Sequence, residues 1–426
     1  MKKRIPVLVA LFLSLSLLVS LAGCGQPAQS TAQNKIVLGV PTALGTVEGK
    51  DSLNSVNMAV DEINAAGGVE VGGKKYQLSV VSIDTREAEA GIPVNDALTA
   101  VDKLISQNKP NAIVVGAFRS EVLLASMDLV AKYKIPYITS IGMAPDYEKK
   151  IGENYDKYKY FFRMGLNSTY LVDYLNKTTG YIGKNFNFNK VYFMYQDVAW
   201  AKGTAAGVAA WAKSNGWTIV GQDSYPTGAS DFSSSLAKAK AGGAQLIVPI
   251  FDMPQAGVLV KQAKSMQVPA LLEGFISPVS AGNAWTTFNG EIDGFVNFVY
   301  EAGPIPLKNI PKSAAYNDAY AKKYGEDARV KLAGHGPGPA YDSVYVLVDA
   351  IKRANSLDSG NIVSALEKTD YDGVIGHIKF SKNHQVIYGE NAKETASGLA
   401  FQWRAGKRVV VFPADAAESQ IQLPQQ

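Results

Sequence analysis

The chain has few of the residues that form disulfides, bind metals or act as nucleophiles. Its 426 residues include one cysteine and three histidines, and the histidines stand in separate segments. A single thiol cannot close an intramolecular disulfide, and scattered histidines give no ligand spacing for a metal ion. Neither a Gly-x-Ser-x-Gly elbow nor a Walker A loop occurs. We therefore predict that the protein is not an enzyme and holds no cofactor and no metal.

One glycine-rich segment could be mistaken for a nucleotide site. Residues 334–338 read Gly-His-Gly-Pro-Gly and superficially resemble a dinucleotide-binding loop. They follow no predicted strand, and Pro337 is unsuited to the close backbone approach that such a loop needs. We interpret the segment as a loop near a crossover between domains.

The chain also lacks a long tract of one charge. Without residues 1–23, which contain Lys2, Lys3 and Arg4 and no acidic side chain, 39 basic and 38 acidic side chains remain. No basic patch is left to bind nucleic acid, so we predict none as a partner. The remaining length of about 400 residues suits two domains, each large enough to bury its own core.

The one long apolar run lies at the N-terminus. Residues 2–4 are Lys-Lys-Arg, residues 5–21 are mostly apolar, and residues 22–24 are Ala-Gly-Cys, an order that predicts a secretory signal over residues 1–23. Residues 21–24 resemble a bacterial lipobox, which implies that Cys24 is diacylated and becomes the new N-terminus. Two acyl chains hold a protein stably at a membrane. The alternative is an uncleaved N-terminal span with an incidental cysteine.

The segment that follows is small and polar. Residues 24–34 cannot bury enough apolar surface to order themselves, so they predict a flexible tether. The protein is accordingly expected to be exported. We expect it to be lipid-anchored to the outer face of the cytoplasmic membrane, or in the periplasm or cell envelope.

From Lys35 onward, short apolar runs alternate with stretches of helical periodicity. This alternation predicts α/β lobes with parallel sheets and helices on both faces. Residues 146–190, rich in Tyr, Lys and Asn, are interpreted as the crossover between two lobes, and the alternating tail from Gly373 predicts short antiparallel strands. The predicted strands are 36–40, 77–83, 112–115, 136–139, 190–195, 218–222, 245–250, 270–272 and 294–300. The predicted helices are 52–66, 94–104, 123–131, 201–214, 232–241, 255–265, 313–324 and 340–354.

Ligands of open α/β sheets bind beyond the carboxyl ends of the strands, and that rule selects a set of loops. Residues 116–120, Gly-Ala-Phe-Arg-Ser, link a strand to a helix and are the most suggestive. Free N–H groups at a helix start attract carboxylates, and Arg119 could donate two hydrogen bonds to one. Equally, Ser120 could be an ordinary N-cap and Arg119 a solvated charge. The other selected loops are 41–49, 85–86, 140–144, 196–200, 251–254 and 274–277.

Aromatic side chains in these loops suggest a small-molecule pocket. Of Phe118, Trp200, Phe251 and Phe275, we expect Trp200 and Phe275 to line it, because aromatics at strand ends more often belong to the core. Asp252 and Glu273 could neutralise a ligand ammonium or could be solvated charges.

Several motifs resemble one family of binding proteins over nearly the whole chain from Lys35 to about Pro413. The resemblance is to the type I solute-binding proteins of branched-chain amino-acid ABC transporters, the leucine/isoleucine/valine-binding family. It implies a periplasmic binding protein type I fold, two doubly wound parallel-sheet lobes joined by three crossovers. The motifs are Ala-Val-Asp-Glu-Ile-Asn-Ala-Ala-Gly-Gly at 59–68, Ile-Thr-Ser at 138–140 with Ala-Pro at 144–145, Tyr-Phe-Phe-Arg at 160–163, Ser-Tyr-Pro-Thr-Gly at 224–228 with Asp-Phe-Ser at 231–233, and Ala-Tyr-Asp-Ser-Val-Tyr at 340–345.

The resemblance also implies domains, partners and a mode of action. Lobe one is expected at 35–163 with 301–384, and lobe two at 164–300 with 385–426. Such a protein is a monomer that closes on a small-molecule ligand, an amino acid or a small organic or aromatic carboxylate, and then docks on an ABC permease. A tethered ligand sensor for a membrane receptor is the alternative, since closure serves both roles.

The family's ligand contacts carry over only in part. Ser120 matches the family's serine, whereas Met143 stands where a threonine is usual, and Trp200 replaces a tyrosine. Phe275 stands where an acidic residue pairs with the ligand ammonium, which favours a carboxylate with an apolar or aromatic body over a standard amino acid. The predicted ligand-binding set is Phe118, Arg119, Ser120, Ser140, Gly142, Met143, Trp200, Asp252 and Phe275.

Overall fold

The computed structural model describes residues 34–424, and its two large sheets are flanked by helices. The predicted signal, Cys24 and all but the last residue of the predicted tether lie outside the described residues. The strands are β1 (Lys35–Thr42), β2 (Val69–Val71), β3 (Lys74–Asp84), β4 (Ala112–Val115), β5 (Tyr137–Thr139), β6 (Phe161–Arg163), β7 (Lys190–Gln196), β8 (Thr218–Tyr225), β9 (Leu246–Phe251), β10 (Leu271–Ile276), β11 (Val296–Val299), β12 (Tyr371–Gly373), β13 (Gly376–Ile378), β14 (Leu399–Arg404) and β15 (Lys407–Phe412).

The helices occupy the connections between these strands, and a short 3-10 helix covers Pro254–Ala256. They are α1 (Val47–Ala65), α2 (Val94–Asn108), α3 (Ser120–Val130), α4 (Asp146–Glu153), α5 (Tyr155–Tyr158), α6 (Ser168–Phe186), α7 (Ala199–Ser214), α8 (Ser233–Ala241), α9 (Gly257–Ser265), α10 (Ser277–Ser280), α11 (Ala284–Thr287), α12 (Pro311–Tyr324), α13 (Glu326–Val330), α14 (Pro337–Ala354) and α15 (Ser359–Leu366).

The first sheet has the order β2-β3-β1-β4-β5-β6 and is parallel apart from the β2–β3 pair. Its central strands β1, β4 and β5 are mostly buried on both sides because helices cover both faces. Leu38 of β1 packs in one core with α1 and α14, while Ile113 of β4 packs in another with α2 and α3. The predicted parallel sheet with helices on both faces is therefore confirmed for this part of the chain.

The second sheet has the order β15-β14-β11-β10-β9-β7-β8. Strands β7 to β11 are parallel, and β14 and β15 add an antiparallel edge. The antiparallel tail predicted from the alternating sequence is confirmed here and in the β12–β13 hairpin. Both sheets belong to one compact unit, and the chain passes between them three times: from β6 to α6, from β11 to α12, and from β13 to β14.

Residues 146–190, interpreted as the crossover between two lobes, include the passage from β6 to α6 but also contain regular structure that was not predicted. The segment contains α4, α5, β6 and the 19-residue helix α6. Helix α6 begins after Asn167, whose side chain accepts a hydrogen bond from the Tyr170 N–H, and it buries Leu171, Leu175 and Ile182. These apolar positions have helical spacing, but the many Tyr, Lys and Asn residues between them obscured it.

Three carboxyl groups are buried in the packing around the sheets. Glu87 accepts hydrogen bonds from Thr85 and two backbone amides, Glu273 accepts from two threonine hydroxyls, and Asp342 accepts from two backbone amides. Burial raises the pKa of each to about 7, although the hydrogen bonds oppose that shift.

Within residues 34–424, every helix is too short or too polar to cross a bilayer.

Candidate functional site

The carboxyl ends of the two sheets face each other across a small cavity of about 20 Å³. The first sheet supplies residues that follow β1, β4 and β5. The second sheet supplies residues that follow β7, β9 and β11, and one residue near the end of β10. A loop before α14 completes the wall. The lining residues are Glu48, Phe118, Ile141, Met143, Trp200, Asp252, Phe275, Tyr300 and His335.

A larger pocket of about 480 Å³ adjoins the cavity and is more open. Glu48, Phe118 and Asp252 line both spaces, so they stand at the junction between them. The outer pocket also includes Arg119 and the exposed Arg86–Glu89 pair. Together the two spaces form a cleft with an aromatic interior and a charged rim.

A sharp turn after β4 positions Phe118 and Arg119. Val115 and Gly116 have φ of +69° and +68°, and a Cβ on Gly116 would lie 2.4 Å from the Tyr137 hydroxyl. Positive φ is unusual for a β-branched residue, so Val115 holds local strain at the site. The Tyr137 hydroxyl accepts the Ala117 N–H at 2.9 Å and fixes the turn.

A protein carboxylate binds two N–H groups just before α3. The Phe118 and Arg119 N–H groups donate to the two oxygens of Glu87 at 2.8 and 3.1 Å. Arg119, not Ser120, takes the N-cap position, and the Ser120 hydroxyl accepts the Met143 N–H at 3.3 Å. Two amides of the loop that we expected to attract a ligand carboxylate therefore bind Glu87, a residue that our predictions did not include.

An ion pair between the two sheets crosses the cleft. Arg119 Nη1 lies 2.5 Å from Asp252 Oδ2, and the two side chains are 8% and 9% exposed. The Trp200 indole N–H donates to the same oxygen at 2.8 Å. In this arrangement Arg119 and Asp252 neutralise each other, so neither charge is left over for a ligand group.

Other predicted site residues divide between the cavity and its surroundings. Phe118, Met143, Trp200, Asp252 and Phe275 line the inner cavity, and Arg119 lines the outer pocket. The remaining three members of the predicted set line neither space in the described residues. They are Ser120, Ser140, whose hydroxyl lies 3.2 Å from that of Ser343, and Gly142, which packs against Leu123.

Glu273 lies outside the cleft, and Phe251 is a core residue. Glu273 is fully buried and bonded to Thr178 and Thr179, so it neither neutralises a ligand ammonium nor contacts solvent. Phe251 packs against Tyr225 and Phe232 beside β9. Both positions lie at the carboxyl end of a predicted strand, but their side chains point away from the cavity.

The aromatic floor consists of Trp200, Phe275 and Tyr300. Their ring centroids lie 6.2, 6.2 and 4.4 Å apart for the Trp200–Phe275, Trp200–Tyr300 and Phe275–Tyr300 pairs. Tyr300 is 1% exposed, and among residues 34–424 its hydroxyl finds no hydrogen-bond partner. Tyr300 ends a predicted strand, which is the signal that could have identified it.

A buried ion pair supports the wall beside Tyr300. His335 Nδ1 lies 3.0 Å from both Glu301 oxygens, and Nε2 lies 2.7 Å from the Ile141 carbonyl oxygen. Both ring nitrogens face acceptors, so the ring is an imidazolium that donates from each. Burial alone would lower the pKa of His335, but the charge and hydrogen bond of Glu301 raise it. From the sequence, we interpreted this segment only as a loop near a crossover.

Glu48 is the acidic residue that the sequence analysis missed. It lies in the first turn of α1, is 3% exposed, and accepts a hydrogen bond from Ser277 across the cleft. Burial raises its pKa to about 7; Ser277 and His335 oppose that shift, and Asp252 adds to it. The loop 41–49 was selected by its place after a strand, but nothing in its pattern distinguished Glu48.

The architecture and the cleft together define a class of protein, one that encloses a small solute between two α/β lobes. A family model described as periplasmic binding protein matches residues 38–390, so the chain belongs to the periplasmic binding protein family. The predicted resemblance and the predicted two-lobe fold are confirmed. The chain is a solute-binding protein, and membership in this family implies an extracytoplasmic location.

Individual relatives agree with this assignment. The "Leu/Ile/Val-binding protein homolog 7" of Brucella suis is 26% identical over 393 residues, which cover 88% of this chain and 90% of the relative. The isoleucine complex of LivJ from Streptococcus pneumoniae superposes with a TM-score of 0.70 at 23% identity, over 92% of this chain and all of LivJ. A solute-binding protein from R. palustris in complex with benzoate gives a TM-score of 0.70 at 15% identity, over 91% and 98% of the two chains.

Proposed function

We propose that the chain is the extracytoplasmic solute-binding lipoprotein of an ABC importer. Its two lobes close on a small amino-acid-like or carboxylate-bearing ligand and deliver it to the permease. The observation that carries the proposal is the aromatic cleft between the carboxyl ends of the two sheets, which the Arg119–Asp252 pair bridges. The similar protein from Brucella suis is named as a Leu/Ile/Val-binding protein homolog, and the one from S. pneumoniae is in complex with isoleucine. The one from R. palustris is in complex with benzoate.

The lobes of this proposal are residues 35–163 with 301–384, and residues 164–300 with 385–426. Packing between helices supports this division, because α14 packs against α1 beside the first sheet and α6 packs against α7 beside the second. Each lobe is built from two chain segments, so only the three passages between the sheets link the lobes covalently. So few links allow the lobes to close by rigid-body rotation.

A ligand screen with a shape measurement tests the proposed function. Titration calorimetry against amino acids, aliphatic acids and aromatic acids should find a compound that binds one to one and is recovered unchanged. Small-angle scattering should then show a smaller radius of gyration with that compound than without it, because ligands of this class are bound by lobe closure. Conversion of the bound compound into a product, or a scattering profile that no binding compound alters, would refute the proposal.

The lipid anchor makes a separate prediction. We expect Cys24→Ser to move the protein from the membrane fraction to the soluble fraction or to leave its signal uncleaved, since serine cannot accept the thioether-linked lipid. Cell fractionation and the mass of the N-terminal peptide measure both outcomes. A cleaved but still membrane-bound Cys24→Ser protein would argue against lipidation as the anchor, and Ser30→Ala in the tether serves as the control.

A further inference from the structure

The charges around the cleft leave one carboxylate without a cation. Arg119 pairs with Asp252, and His335 pairs with Glu301. At the rim, Arg86 pairs with Glu89 at 2.6 Å. Glu48 has only the neutral Ser277 hydroxyl as its side-chain partner, and within residues 34–424 no basic side chain forms a salt bridge with it. The cleft therefore offers an acidic group with no cationic partner from the protein where its two spaces meet.

The position of Glu48 in the first turn of a helix does not explain why its carboxyl group is buried. Acidic residues are common in the first turn of a helix because the N–H groups there favour negative charge. Such residues normally lie in water, whereas Glu48 is 3% exposed and faces the opposite sheet. A buried carboxylate without a positive partner is costly. Glu273 is also buried, but Glu48 differs from it by lining both spaces of the cleft, where a bound cation would offset that cost.

Groups beside the cleft that could bind a ligand carboxylate already bind protein carboxylates. The Phe118 and Arg119 N–H groups, which precede α3, bind Glu87, and the Arg119 guanidinium binds Asp252. A ligand carboxylate at any of these groups would have to displace a protein carboxylate. A ligand cation at Glu48 has no protein cation to displace.

A second, independent feature points to a hydrogen-bonding ligand group at the same place. The Tyr300 hydroxyl is buried without a partner among the described residues, and Tyr300 lines the inner cavity together with Glu48. The aromatic rings of Trp200 and Phe275 also line this cavity. Aromatic faces attract cations, and a hydroxyl can accept a hydrogen bond from an ammonium group.

The two spaces fit a ligand with a small polar head and a larger body. The inner cavity of about 20 Å³ has room for a group the size of a water molecule. The outer pocket of about 480 Å³ has room for an apolar or aromatic body. Glu48 and Phe118 line both, so a head at Glu48 leaves the body in the outer pocket.

We propose that the cleft recognises an organic cation, a protonated primary amine on an apolar body, whose nitrogen donates hydrogen bonds to the Glu48 carboxylate and the Tyr300 hydroxyl. This inference rests on the proposed function, because it names the ligand class of the same cleft. A carboxylate elsewhere on the ligand is compatible with it but is not what the cleft selects.

Two sets of matched compounds test the preference. Each set keeps one body and changes its charged group: 3-methylbutylamine, 4-methylpentanoate and leucine, and phenethylamine, 3-phenylpropanoate and phenylalanine. Calorimetry should give the amine at least tenfold tighter binding than the carboxylate of the same set. If carboxylates bind as well as the amines or better, the inference fails and the proposed function stands. If none of the six binds and the wider screen also finds no ligand, both fail.

Substitution of Glu48 then identifies the group responsible. Glu48→Gln keeps an acceptor for Ser277 but removes the charge, so amine affinity should fall about 10- to 100-fold while carboxylate affinity does not fall. Glu70→Gln removes the same charge from an exposed position on β2 and should change neither. Unchanged amine affinity in a folded Glu48→Gln protein would overturn the inference.

The wild-type protein provides a check that does not depend on folding of the variant. Amine binding should weaken as the pH falls from about 8 to about 6, because protonation of Glu48 competes with the ligand cation. The other charged groups that face Glu48 are Asp252 and Arg119, which pair with each other, and His335, which pairs with Glu301. Amine affinity that stays constant over this range would also contradict the inference.

Discussion

Asp252→Asn is expected to weaken ligand binding by about 2–4 kcal/mol, roughly 30- to 1000-fold, because it removes one partner of a buried ion pair between the two sheets. Asparagine can still accept the Trp200 indole N–H, so the indole keeps its partner. The Arg119 guanidinium, however, would be buried in the closed form without a counter-charge, whereas water can solvate it in the open form. The substitution therefore shifts the balance toward the open form rather than unfolding either lobe.

The measurement is a titration combined with scattering on the same samples. Asp252→Asn should give a larger radius of gyration at saturating ligand than the wild type. Asp197→Asn is the matched control, because its ion pair with Lys202 is exposed on both sides and is worth at most about 1 kcal/mol. Adding Arg119→Met to Asp252→Asn should recover part of the lost affinity, since the unpaired charge is then removed. Wild-type affinity in Asp252→Asn would show that the pair does not contribute to closure.

The sequence was sufficient to predict which loops line the candidate cleft, from their place in the fold. The rule that ligands bind beyond the carboxyl ends of strands selected loops that contain Phe118, Met143, Trp200 and Phe275. This worked because strand ends follow from apolar runs, which are a local property of the chain. Predicted strands such as 112–115 agree with the observed bounds for the same reason.

The partners of each polar side chain could not be predicted in the same way. Arg119 and Asp252 are 133 positions apart, and Phe118 is 31 positions from Glu87, which accepts a hydrogen bond from its N–H. Pairings over such distances depend on how the two sheets face each other, which no local pattern records. Without knowledge of its partner, Arg119 was reasonably interpreted as a ligand contact. No local sequence pattern pointed to Glu48 as a residue of the cleft.

The buried carboxyl groups should make the folded protein more stable in mild acid than in mild base. Glu87, Glu273 and Asp342 have a pKa of about 7 in the folded state, above the ordinary values of 4.5 for Glu and 3.8 for Asp. Between these values the folded state binds more protons than the unfolded state, so the free energy of unfolding falls as the pH rises. Each group should contribute about 2 kcal/mol to this loss between about pH 5 and pH 8.

Urea unfolding at about pH 5 and pH 8 measures this loss of stability, and Glu273→Gln shows how much of the loss is due to Glu273. The wild type should have the higher urea midpoint at about pH 5. Glu273→Gln should narrow the difference between the two pH values, because an amide neither titrates nor carries a charge among Thr178 and Thr179. Glu70→Gln, which removes an exposed carboxyl, should leave the difference as it is in the wild type. A midpoint that rises between pH 5 and pH 8 would mean that these groups are ionised in the folded protein, and that their hydrogen bonds outweigh the effect of burial.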